Sequence, residues 1–170
     1  LLMLKEKDNR IKIIDLSRNF GQQIALSAGI DLSKGDSVIL MDADMEDFPE
    51  DILKFLKKWE EGFEVVYAIR KSRKVGAIRR FCFSCFHSIN RVISECDIKA
   101  EGAFALMDRK VVEKMQAFSE HNRYIPGLRV WIGFRQVGIE LERGMRYDKR
   151  PRASIWKLIN LALDSFCCFS

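Results

Sequence analysis

The chain has 170 residues, 48% hydrophobic and 31% charged, with 3 Pro and 10 Gly, a balance that supports one domain with a real core and excludes a disordered or fibrous chain. The net charge of +5 is uneven: carboxylates mark the first third, while Arg and Lys crowd residues 70–80 and 143–157. Such basic clusters point to phosphate or an anionic membrane surface as partner and leave nucleic acid open.

With only 2 His in the chain, no zinc site is expected, and Cys82, Cys85, Cys96, Cys167 and Cys168 read as reduced, mostly buried thiols. No apolar run is long enough to cross a bilayer.

In chain order, residues 1–7 read as the tail of a helix, and Ile11–Leu16 as a short strand. Ser17–Gly21 is a loop, followed by a helix over Gln22–Leu32 with apolar residues at 24, 25, 28 and 32. Gly35 is placed to close that helix. Val38–Met41 is a buried strand, and a helix starts near Pro49, whose missing N–H costs nothing in a first turn. Ile52, Leu53, Phe55, Leu56 and Trp59 give this helix its buried face, Gly62 follows its end, and Phe63–Ile69 is the next strand. Strand and helix alternating at this spacing predict an α/β fold with a doubly wound sheet.

A basic loop, Lys71–Gly76, comes next. Ile78–Ser94 reads as a helix with Arg79 and Arg80 in its first turn, where cations oppose the helix dipole unless an anion lies nearby. Ala103–Met107 is a strand, Asp108 caps the following helix, residues 121–134 form a short helix or turn, and Gln136–Glu142 alternates as a strand. Arg143, Arg146, Lys149, Arg150 and Arg152 then precede a helix over Ile155–Ser170, amphipathic at its start and nearly all apolar at its end. A basic segment entering such a helix fits a membrane surface, and equally a helix packed on its own domain.

The stretch Asp42-Ala43-Asp44-Met45-Glu46 follows the buried strand directly. In open α/β sheets ligands sit beyond the carboxyl ends of strands. Two close carboxylates repel one another, and a hard divalent cation relieves the repulsion. Mg²⁺ or Mn²⁺ bound there would also take phosphate oxygens, which makes the stretch a candidate metal–diphosphate site with ligands Asp42, Asp44 and Glu46. The plainer alternative is a solvated acidic loop that favours the start of the next helix.

Several segments, taken in order, resemble the polyprenyl-phosphate glycosyltransferases, family-two inverting enzymes that include bactoprenol glucosyltransferases and dolichol-phosphate mannose synthases. They are Leu16–Gly21, Ala28-Gly29-Ile30, Gly35-Asp36, Met41–Asp44 with Pro49-Glu50, Val65-Val66-Tyr67 with Arg70 and Arg73, Leu106–Val112, Trp131–Gln136, and Lys157-Leu158 through Phe169-Ser170. The resemblance implies a GT-A fold: a Rossmann-like, mostly parallel sheet flanked by helices. The family's N-terminal strands would be missing here, and a C-terminal amphipathic juxtamembrane helix would be present. Residues 1–142 would be a partial GT-A catalytic domain and 143–170 the basic acceptor loop and juxtamembrane helix of an internal piece of a longer, membrane-anchored protein.

The resemblance further implies transfer of a hexose from a UDP- or GDP-linked donor to polyprenyl phosphate, at the cytoplasmic face of a membrane, with Mg²⁺ or Mn²⁺ as cofactor. Nucleic acid would not be a partner; a homo-oligomer would be compatible. Asp42, Asp44 and Arg80 would carry the catalysis, Arg70 and Ser84 would join Arg80 in holding phosphate, and Arg143, Arg146 and Arg152 would close over the acceptor. The sequence departs from the family at Glu46, where Gln is usual, and at Ala103 and Ala105, where bacterial members often carry Asp and Arg. It departs again at Lys149 and Pro151-Arg152. Alternatives are a same-fold transferase with a polysaccharide acceptor, a degenerate paralogue without turnover, and a non-catalytic module binding anionic lipid.

Overall fold

A computed structural model describes residues 1–70, 103–118, 123–142 and 144, with the side chain of Arg70 excepted. The described elements are α1 (Leu2–Lys7), α2 (Gln22–Leu32), β1 (Ser37–Leu40), a 3₁₀ turn (Pro49–Asp51) running into α3 (Ile52–Glu60), β2 (Val65–Arg70), β3 (Ala105–Asp108), α4 (Arg109–Gln116), α5 (Ile125–Trp131) and β4 (Gln136–Leu141).

The strands form one sheet in the order β1-β3-β2-β4. β3 runs antiparallel to both β1 and β2, whereas β2 and β4 are parallel. The expected mostly parallel sheet is therefore a mixed one among the described residues. β3 fills the gap between β1 and β2 and satisfies the ladder groups of both, an arrangement that strand–helix alternation along the chain cannot reveal. One row crosses the whole sheet: Leu40 faces Ala105, Ala105 faces Tyr67, and Tyr67 faces Gly138. Because β1, β2 and β4 share a direction, Leu40, Arg70 and Leu141 end on the same edge.

Both faces of the sheet are covered, which is why β1, β2 and β3 read as apolar runs. Successive side chains leave a strand on opposite faces, so neighbours part company. Val65 and Met107 join Ile30, Val111, Val112, Met115, Ile125 and Leu128 under α2, α4 and α5. Val66 and Leu106 join Phe55, Phe104 and Ala68 under α3. The ring pair Phe55–Phe104, 4.6 Å between centroids, anchors α3. Asp108 caps α4 as expected, accepting from the Lys110 N–H at 2.9 Å, and also accepts from Trp59 Nε1 of α3 at 2.8 Å.

Four local expectations are corrected. Ile11–Leu16 forms no strand, because no described neighbour pairs with it and a strand needs a ladder. In α2 the core-facing residues are Leu26 and Ile30, while Ile24 is 37% and Leu32 64% exposed. Its apolar residues are not gathered on one stripe, so spacing does not choose a face. It ends at Ser33, whose hydroxyl bonds the Ile30 carbonyl, and not through a left-handed Gly35. In α3 Phe55 is fully buried but Leu53 is exposed. No helix among the described residues is long and apolar enough to cross a membrane. The helices expected over 78–94 and 155–170 lie outside the described residues.

Candidate functional site

The acidic turn leaves β1 at the shared edge. Asp42 and Asp44 are half-buried, and Glu46 and Asp47 are buried at 5% and 8% exposure. Asp44 folds back on the chain: its Oδ1 accepts from the Glu46 N–H at 3.2 Å. The bend is made by Met45, a non-glycine residue at φ 63°, in the left-handed region that costs a branched or long side chain about 1–2 kcal/mol. Asp42 is held from another element, since Gln22 Nε2 at the start of α2 donates to its Oδ1 at 2.9 Å. The adjacent Gln23 Oε1 accepts from the Ile125 N–H at 3.1 Å and so ties the same end of α2 to the start of α5.

A third element closes on the turn from β4. The Gly144 N–H donates to the Glu46 carbonyl at 2.9 Å. Gly144 has no side chain to keep it away: a Cβ there would stand 3.1 Å from the Met45 carbonyl oxygen, 3.1 Å from Phe48 Cζ and 3.4 Å from the Glu46 carbonyl oxygen.

Asp42 and Asp44 both lie on this turn. Glu46, expected as a third ligand, is not gathered with them: no three His, Cys, Asp or Glu side chains form a metal-holding group among the described residues. A pair of carboxylates on a strand-end turn still fits a hard divalent cation, which usually takes one or two carboxylates and completes its shell with water and substrate phosphate. Arg70 closes β2 opposite Leu141, so its backbone stands on the same edge. Arg80, Ser84, Arg143, Arg146 and Arg152 lie outside the described residues. So do Cys82 and Cys85, which form a C-x-x-C pair, so the cysteine spacing gives no ground for excluding zinc. Ala103 and Ala105 are described; Ala105 is fully buried within the sheet row, a packing position.

Sequence reasoning missed Gln22 and Gly144. Both act through contacts with residues 20 and about 100 positions away, and neither belongs to a motif that announces it.

The family model described as Glycosyl transferase family 2 matches residues 1–116. An uncharacterized glycosyltransferase of Synechocystis sp. is 41% identical over 97% of this chain, which covers 52% of that protein. One from Bacillus subtilis is 40% identical over 96% of this chain and 51% of its own length. The bactoprenol glucosyl transferase of Shigella phage SfX is 34% identical over 98% of this chain and 55% of its own. The chain spans about half the length of these relatives.

Proposed function

Because this chain belongs to glycosyl transferase family 2, we propose that its protein transfers a hexose from a nucleotide-diphosphate sugar to polyprenyl phosphate, with inversion. The observation that carries the reading is the paired-aspartate turn at the edge where β1, β2 and β4 all end. The likeness to a bactoprenol glucosyl transferase across nearly the whole chain supports the lipid phosphate as acceptor.

The chemistry asks little of acid–base groups. An acceptor phosphate oxygen is already ionised at neutral pH and attacks the anomeric carbon opposite the departing diphosphate, so a strong general base is not required. The demands are placement and cationic clamping. Asp42 and Asp44 would hold Mg²⁺ or Mn²⁺, which when bound neutralises charge developing on the leaving diphosphate. Gln22 keeps the Asp42 carboxylate oriented, and the Glu46 N–H does the same for Asp44. Arg70, Arg80 and Ser84 would hold phosphate at the reacting centre, while Arg143, Arg146 and Arg152 would draw the acceptor from the cytoplasmic face of a membrane.

The test is transfer of radiolabelled sugar to chloroform-soluble product by membranes carrying the full-length protein, with UDP-glucose and GDP-mannose offered separately. We expect product that disappears with EDTA and in Asp44→Asn, while the variant keeps its melting temperature. Wild-type transfer by Asp44→Asn would sink the assignment of the turn.

A further inference from the structure

We infer that Gly144 is a positioning residue for the acidic turn: its bare Cα lets the chain leaving β4 lie directly on Met45 and Glu46, and its N–H holds the carbonyl of Glu46, the residue whose own N–H orients Asp44. The inference rests on the reading of Asp42 and Asp44 as the cation-holding pair.

The contacts form a short relay. Gly144 donates to the Glu46 carbonyl at 2.9 Å, and the Glu46 N–H donates to Asp44 Oδ1 at 3.2 Å. Residue 46 therefore takes its register from one side and passes it to a carboxylate on the other. Its own burial at 5% exposure leaves it little freedom to compensate. Met45 at φ 63° turns the chain so that successive carbonyls, those of Met45 and Glu46, both lie close to Gly144.

Proximity favours glycine at 144, since a Cβ there would meet atoms of Met45, Glu46 and Phe48 at 3.1 to 3.4 Å. A methyl group would meet the Met45 oxygen and the Phe48 ring at 3.1 Å, so the turn would have to give by a few tenths of an ångström. Two of the three neighbours are carbonyl oxygens of the turn itself, so the displacement falls on the segment that carries Asp44. Gly144 also stands between Arg143 and Arg146 in the sequence, so the start of the basic segment and the acidic turn share one hydrogen bond.

The test uses the full-length protein in detergent, with Mn²⁺ alone as probe, read from the electron paramagnetic resonance signal of the free ion. Melting and the kcat and KM for donor and acceptor are measured in parallel. Gly144→Ala is expected to weaken Mn²⁺ binding on the order of tenfold, the scale seen when groups that orient metal ligands are disturbed. The exposed Phe48 provides the discriminating variant. Phe48→Ala alone is expected to leave Mn²⁺ binding as in wild type, and Gly144→Ala/Phe48→Ala to regain part of the lost affinity by opening room for the methyl group. Additive loss in the double variant indicates general destabilisation and overturns the inference, and it does so even where Gly144→Ala melts early. Wild-type Mn²⁺ binding by Gly144→Ala, in a preparation where Asp44→Asn abolishes binding, overturns the Gly144 role alone. Retained binding in Asp44→Asn overturns the metal reading beneath it.

Discussion

Arg129 offers a test in which the expected sign runs against intuition. Its guanidinium is 1% exposed on α5, and neither Nε nor one terminal nitrogen, Nη2, has a hydrogen-bond partner among the described residues. What it has is the face of Tyr67, 4.9 Å from ring centroid to guanidinium carbon. Burial pushes its pKa down from the ordinary arginine value to about 10, with Tyr67 and Tyr124 pulling the other way. At 1.36 kcal/mol per pH unit, that drop corresponds to about 3 kcal/mol of penalty for the charged form. Arg129→Met keeps an apolar stem of similar reach, removes the penalty, and loses a cation–π contact worth about 2 kcal/mol when desolvated. The net expectation is a gain of about 1 kcal/mol, or about 2–4 °C in melting temperature for a chain of this size. Urea unfolding followed by tryptophan fluorescence at pH 7 measures it. The pH profile adds a check of sign. The folded pKa is depressed, so the penalty is full below about pH 10 and fades as pH rises above 10 towards the ordinary arginine value; the advantage of Met should shrink over that window. A variant less stable than wild type by about 1 kcal/mol or more would refute the reasoning, because it would mean the guanidinium has an anionic partner.

Met45→Gly should stabilise the fold by about 1 kcal/mol, since glycine adopts φ 63° without strain; a lowered melting temperature would show that the Met45 side chain contributes packing despite its exposure. Asp108→Ala removes both the cap of α4 and the bond to Trp59, at an expected cost of about 1–2 kcal/mol in denaturant unfolding. Burial opposes ionisation of Asp108, but the Lys110 N–H, the Trp59 N–H and the charges of Lys110 and Arg109 outweigh it and hold its carboxyl below the ordinary value. Its contribution is therefore present above the usual carboxylate range and lost as pH falls through the lowered value, so wild type and Asp108→Ala should converge in stability in acid.

Much of this protein follows from its sequence alone. Gly62 after α3, Pro49 at its start and Asp108 before α4 act through covalent geometry and hydrogen bonds within a few residues, so the ends of these helices are legible from local chemistry. The apolar runs at β1, β2 and β3 and the carboxylates after β1 are equally local, and they are enough to place the candidate site at a strand end. The order β1-β3-β2-β4 and the reversed direction of β3 are not local, because backbone ladders are indifferent to sequence distance and are settled by which faces can be covered together. The same holds for α2, whose buried side is chosen only when Ile30 meets α4 and α5. It holds most of all for the turn itself. The sequence places Asp42 and Asp44 next to each other, but only the tertiary structure brings Gln22 to one and, through Glu46, Gly144 to the other, because those contacts exist only once α2 and β4 have packed on the sheet.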